Sequence, residues 1–129
     1  MAARQRILIV EDDPASRLLA TATLEHDGFD VVTASSAEDA IGVIDHERPD
    51  LILMDISLPG MDGLELTRKL KADRATAAIP VVALTAHTMP LHERAALAAG
   101  CAAFLAKPVS PAVLSAEVRA CLGPPAKHR

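Results

Sequence analysis

The sequence predicts an α/β domain in which helices cover both faces of a doubly wound, five-stranded parallel sheet. Three observations carry that expectation. Ile7–Val10 and Leu51–Met54 are unbroken apolar runs, the pattern of short strands buried on both faces rather than of a sheet with one wet side. Between such runs apolar residues recur at i, i+3, i+4 and i+7, the stripe by which a helix lies on a sheet. Strand and helix signals alternate five times, which implies parallel strands joined by right-handed crossovers. The 129 residues suit a single domain spanning 1–129, with its core at about 6–122 and a frayed tail at 123–129.

Each element has its own signal. Arg6 leads into the Ile7–Val10 strand, and Glu11-Asp12-Asp13-Pro14 then marks a strand end and a helix start, because Pro is favoured at the first helical position and Asp just before it. Asp13 is the expected N-cap. Ala15, Leu18, Leu19 and Ala22 form the expected inward stripe of this helix, which Gly28 ends. Asp30–Ala34 is a second strand. Ser35-Ser-Ala-Glu38 has capping-box spacing, and Ala37, Ala40, Ile41 and Ile44 are the expected inward stripe of a second helix that Pro49 closes. The Leu51 run ends in Asp55, and a third helix follows from about Asp62 or Gly63 through Lys71. Ile79–Leu84 is a fourth strand ending in Thr85-Ala86. A fourth helix runs from about Met89 or Pro90 to Ala99, closed by Gly100. Ala102–Leu105 is a short fifth strand before Ala106-Lys107-Pro108, and Ser110-Pro111 opens a last helix with Leu114, Val118 and Cys121 inward.

Composition closes off several function classes. Hydrophobic residues make up 50% and charged residues 23%, which is ordinary for a soluble domain. Phe29 and Phe104 are the only aromatics, so the core is built from Leu, Ile, Val and Ala, and no aromatic platform exists for stacking single-stranded nucleic acid. A net charge of −4 opposes binding to a phosphate backbone. Cys101 and Cys121 read as core thiols in a reducing compartment. His87 and His92 stand five apart, not at the i, i+4 spacing of two metal ligands on one helix face. The His side chains read as solvated, with His87 near the rim the exception. No apolar run has membrane-spanning length and no signal-peptide core follows the N-terminus. The expected location is the cytoplasm, with neither nucleic acid nor membrane as a direct partner.

The carboxyl ends of the strands carry the chemistry. The first strand ends in Glu11 and Asp12, the third in Asp55, the fourth in Thr85 and the fifth in Lys107. In a sheet ordered 2-1-3-4-5 those four strands are neighbours, so their end groups converge on one rim, where ligands of open α/β sheets bind. Taken singly each residue is bland: Asp55 beside Pro-Gly is a turn cap, Thr85 a strand-end cap, Lys107 a solvated lysine, Phe104 core. Together they are not. One pair of like charges ~4 Å apart costs about 4 kcal/mol at an effective dielectric near 20. A hard divalent cation relieves that repulsion, and Mg²⁺ suits it because it takes a few carboxylate oxygens and keeps waters for incoming phosphate. Thr85 offers a hydroxyl donor and Lys107 a positive charge to an anion formed on Asp55. Carboxylate nucleophiles make acyl-phosphate intermediates, so the set fits phosphoryl transfer to Asp55 by positioning and charge neutralisation.

Glu11-Asp12, Asp55 before Leu58-Pro-Gly-Met-Asp-Gly63, Thr85-Ala86 and Lys107-Pro108 also stand in a telling order and spacing. Through them the sequence resembles the receiver domain of two-component response regulators, of the single-domain chemotaxis-regulator and phosphorelay type, across essentially its whole length. The resemblance implies a flavodoxin-like (βα)5 fold with strand order 2-1-3-4-5 and Asp55 as phosphoacceptor. It implies a Mg²⁺ site made by Glu11, Asp12, Asp55 and the main-chain carbonyl of Ser57. Thr85 and Lys107 would bind the phosphoryl oxygens, Thr85 and Phe104 would form the switch, and Ser57 and His87 would tune the lifetime of the phosphorylated state. It further implies a cis bond before Pro108. Phe104 departs from the Tyr frequent in the family and has no hydroxyl to bond. The implied partners are a sensor histidine kinase or histidine phosphotransfer protein as donor, and a protein target on the face of helix four, strand five and helix five. Such a protein is no enzyme beyond its own phosphorylation and autodephosphorylation.

Rival readings are weighed against the same residues. A phosphatase with an aspartyl nucleophile needs a second Asp two positions on, where this chain has Ser57. A flavin or nucleotide carrier needs a GxxxxGKS/T loop or GxGxxG turn after the first strand, or aromatics to sandwich the ring; none is present. Because the chain stops shortly after its last helix, it reads as a stand-alone regulator or phosphorelay intermediate. Ala83-Leu-Thr-Ala-His87 and Ala99-Gly-Cys101 resemble receivers of phosphorelays and hybrid kinases, so an excised receiver is the alternative, as is a phosphorylation-independent binding module.

Overall fold

The computed structural model describes residues 4–56, 63–85 and 90–122. Strands and helices alternate as β1 (Arg6–Val10), α1 (Pro14–His26), β2 (Asp30–Ala34), α2 (Ala37–Glu47), β3 (Leu51–Asp55), α3 (Gly63–Ala72), β4 (Val81–Thr85), α4 (Pro90–Ala99), β5 (Ala103–Ala106) and α5 (Pro111–Leu122). The sheet is parallel throughout, in the expected order β2-β1-β3-β4-β5. Val10 lies opposite Ala34 and Met54, Asp55 opposite Leu84, and Thr85 opposite Ala106, so the strands finish nearly level. That level finish is what makes one rim of the groups at their ends.

The apolar runs behave as their pattern demands. Residues 7–10 of β1 and all of β3 and β4 are buried, whereas the edge strands β2 and β5 are only partly covered. Alternate residues serve opposite faces. Leu8, Val10, Ile52, Met54, Val81 and Ala83 pack with Ala40, Ile44, Leu66, Leu70 and Ala96 of α2, α3 and α4. Ile7, Ile9, Leu51, Leu53, Val82 and Leu84 pack with Ala20, Leu24, Leu114 and Val118 of α1 and α5. Each fully buried Leu, Ile or Val contributes about 1.5–3 kcal/mol.

The helix ends explain themselves locally. Asp13 caps α1, its carboxylate accepting from the Ser16 N–H at 2.9 Å, with Pro14 following in the first turn. Gly28, at φ 97°, takes the left-handed turn after the C-cap Asp27. The cap of α2 is Ser36, one residue later than the capping-box spacing from Ser35 suggests. Ser36 is extended (φ −151°) and accepts from the Asp39 N–H at 3.0 Å, while Ser35 donates to the Asp39 carboxylate. Two adjacent serines offer the same chemistry, and the length of β2 decides between them.

Other expectations are corrected. Ala15, Leu18, Leu19 and Ala22 all point to solvent, Leu18 being 70% and Leu19 54% exposed. Instead α1 buries Ala20 and Leu24 and half-buries Ser16, Arg17, Thr21 and Thr23. The Asp13-Pro14 cap starts the helix over the rim in a phase that turns its polar first turn, not its richest apolar stripe, toward the sheet. On α2, Ala37, Ala40 and Ile44 are buried but Ile41 is exposed. Strand β4 starts at Val81 rather than Ile79, because the Ile79 N–H closes a turn on Thr76 O and its carbonyl accepts from Lys71 Nζ at 2.6 Å. Strand β5 runs one residue later than expected. Cys101 is buried and Cys121 half-buried, and His26 and His46 are exposed. Among the described residues no helix is long and apolar enough to cross a membrane.

Candidate functional site

The level strand ends bring Glu11, Asp55, Thr85 and Lys107 to one rim. Glu11 prolongs β1, its N–H donating to Ala34 O at 3.0 Å, and the residue is 1% exposed. Asp55 closes β3 at 4% exposure, and Thr85 closes β4 fully buried. Lys107 follows β5, held by its N–H to Thr85 O at 2.8 Å, and the Lys107–Pro108 bond is cis. Oxygens of Glu11, Asp12 and Asp55 lie within 4.8 Å of one another, and of the three only Asp12 is exposed. The pair of buried carboxylates thus opens to solvent on the Asp12 side.

Lys107 joins the two buried acids. Its Nζ donates to Asp55 Oδ2 at 3.1 Å and forms an ion pair with Glu11 Oε1. Glu11 Oε2 accepts from the Asp13 N–H at 3.2 Å. Burial pushes the Glu11 carboxyl above its ordinary value; Lys107 and the Asp13 N–H pull it back, and neighbouring Asp55 adds to the upward push. Burial alone would lower the Lys107 ammonium, but Glu11 and Asp55 outweigh it and hold the group above its ordinary value. Three carboxylates against one ammonium leave an excess of two negative charges. Hard oxygen donors so spaced fit a small divalent cation such as Mg²⁺, which draws its ligands to about 2.0–2.1 Å.

The comparisons with known proteins agree with that geometry. The sequence profile of the response regulator receiver domain matches residues 7–119. The chain belongs to the response regulator receiver family. The DNA-binding response regulator MtrA of Mycolicibacterium smegmatis is 40% identical over 119 residues, covering 92% of this chain and 51% of MtrA. The sensor protein GacS of Pseudomonas syringae is 40% identical over 108 residues, 81% of this chain but 12% of GacS. The chain therefore spans about half the length of the MtrA relatives and a small part of GacS. Among solved structures, the BeF3-activated N-terminal receiver domain of Klebsiella pneumoniae RstA superposes with a TM-score of 0.84 at 37% identity, covering 92% of this chain and 98% of that one. The chemotaxis protein CheY4 of Vibrio cholerae gives 0.85 at 28% identity, covering 90% and 97%.

Not every residue expected in this receiver joins the cluster. Phe104 is half-buried on β5 opposite Ala83, packed against the α2–α4 side of the core, two positions before the Thr85–Ala106 pair. Ser57 and His87 lie outside the described residues. The structure gives two further residues a role at the rim, Gly63 beyond its place in the motif and Arg17, which sequence reasoning did not single out. Gly63 opens α3, and a Cβ there would sit 2.6 Å from Asp55 O and 2.8 Å from Ile56 Cα, so only glycine lets the helix meet the end of β3. A glycine at the start of a helix, where it is a poor helix former, is the signal. Arg17 reaches from α1 to the Glu11 carbonyl, Nη1 donating at 2.9 Å. Its signal is a polar residue in register with Ala20 and Leu24, hidden by the more apolar stripe beside it.

Proposed function

We propose that this receiver accepts a phosphoryl group on Asp55 from the phosphohistidine of a sensor kinase or histidine phosphotransfer protein. The observation that carries the reading is the Lys107 ammonium bonded to Asp55 and paired with Glu11, with Asp12 at the opening. An Asp55 carboxylate oxygen attacks phosphorus, the P–N bond breaks, and its electron pair leaves with the imidazole, which takes up a proton. Glu11, Asp12, Asp55 and the Ser57 main-chain carbonyl would hold Mg²⁺, which supplies neutralisation of the phosphoryl oxygens when bound. Lys107 pairs with one phosphoryl oxygen and the Thr85 hydroxyl donates to another.

The modification brings a charge of about −1.5 to −2 and three acceptor oxygens. Thr85 is drawn toward them, and Phe104 moves into the space released. That shift between two packings presents the α4–β5–α5 face to a protein target. Ser57 and His87, beside the acceptor and Thr85 in sequence, would set access of water to the acyl phosphate. Catalysis ends with the domain's own phosphorylation and dephosphorylation.

Intact mass after incubation with Mg²⁺ and acetyl phosphate tests the reading. Wild type should gain one phosphoryl group that decays on standing, and Asp55→Asn should gain none. Equal labelling of both proteins would place the acceptor elsewhere and refute the assignment.

A further inference from the structure

Glu11 continues the line of β1 and Asp12 follows it on the turn toward α1, yet both carboxylates must meet Asp55 within 4.8 Å. What fixes that turn can be followed bond by bond. The Glu11 N–H is taken by Ala34 O at 3.0 Å, the last rung of the sheet. After it the main chain leaves the sheet, and the carbonyl of a residue only 1% exposed is met by Arg17 Nη1 at 2.9 Å. Arg17 itself is half-buried and lines a hollow with Thr33, Ala34 and Ser35 at the end of β2. On the far side of the turn, the Asp13 N–H donates to Glu11 Oε2 and the Asp13 carboxylate caps α1. Asp12 is therefore bracketed by two anchored residues.

An arginine is an unexpected choice for this task on electrostatic grounds alone. Its charge repels a cation bound nearby, so a site built for charge would carry a neutral donor or none. What the side chain does here is donate a hydrogen bond to the Glu11 carbonyl at 2.9 Å. Resting on the cation site read above, we propose that Arg17 is a positioning residue. Anchored on the Glu11 carbonyl, its guanidinium sets the turn between β1 and α1 so that the Glu11 and Asp12 carboxylates meet Asp55 around one divalent cation.

The two effects of Arg17 have opposite signs, and that makes the inference testable. Removing the positive charge alone would tighten cation binding; removing the hydrogen bond would weaken it by more, on the order of 10–100-fold, the scale on which supports of metal ligands act. The probe is Mn²⁺, titrated by electron paramagnetic resonance without any phosphodonor. Arg17→Met should bind Mn²⁺ about tenfold more weakly than wild type. Arg17→Lys, which keeps a donor of nearly the same reach, should recover most of the loss. Val118→Ala, a core change away from the rim, should lower stability and leave Mn²⁺ affinity unchanged, separating positioning from general loosening. Should Arg17→Met not fold, Arg17→Gln, too short by two bonds to reach the carbonyl, takes its place. Equal or tighter binding in the shortened variant overturns the inference. No Mn²⁺ binding by wild type would instead overturn the reading of the cation site beneath it.

Discussion

Helices α1 and α2 carry the same apolar signal and use it oppositely. Each has four apolar residues at i, i+3, i+4 and i+7. On α2 three of the four are buried in the core shared with α3 and α4. On α1 all four face solvent, and the helix buries Ala20 and Leu24, with Ser16, Arg17, Thr21 and Thr23 half-covered. Hydrophobic periodicity reports that a helix exists and how it turns; it does not report its phase when a neighbouring stripe has another duty. The duty on α1 is the rim: its first turn supplies Asp13, which caps the helix, and Arg17, which holds the Glu11 carbonyl.

The difference can be broken by mutation. Leu24→Ala and Ile44→Ala remove fully or nearly fully buried side chains from the two faces of the sheet, and each should cost about 2–5 kcal/mol in denaturant unfolding. If Leu24 cost no more than an exposed residue, α1 would be packed through the other stripe. Gly63→Ala extends the comparison to α3, where the added methyl has no space. It should cost about 1–3 kcal/mol and slow phosphorylation by acetyl phosphate, since the backbone it displaces belongs to Asp55. Ser36→Ala should cost about 1 kcal/mol, whereas Ser35→Ala should cost clearly less; the reverse would restore the capping box one residue earlier. The smallest effect sharpens the contrast most: the double change Leu18→Ser, Leu19→Ser should leave stability within about 0.5 kcal/mol of wild type.

These contrasts also mark what can be read without coordinates. Strands β1, β3 and β4 were legible because a residue buried on both faces leaves an unbroken apolar run, and the rim followed from asking what stands at the end of each run. Glu11, Asp12, Asp55 and Lys107 could be gathered that way because strand order fixes which ends are neighbours. Phase is a tertiary property, so the outward stripe of α1, the exposed Ile41 and the cap at Ser36 differ from what the sequence predicts: each is settled by where the next strand lies. The roles of Arg17 and Gly63 are faint in the sequence for another reason. One acts through a main-chain carbonyl and the other through the lack of a methyl group, so a residue type out of place marks the position without saying what it does.

Gly63 has a mechanical consequence. The start of α3 rests on the carbonyl of Asp55 and the Cα of Ile56 with less clearance than one methyl group needs. A joint with that little play passes displacement in both directions. A tilt of α3 imposed from outside bears on the end of β3, and a shift at Asp55 is felt at once by the helix.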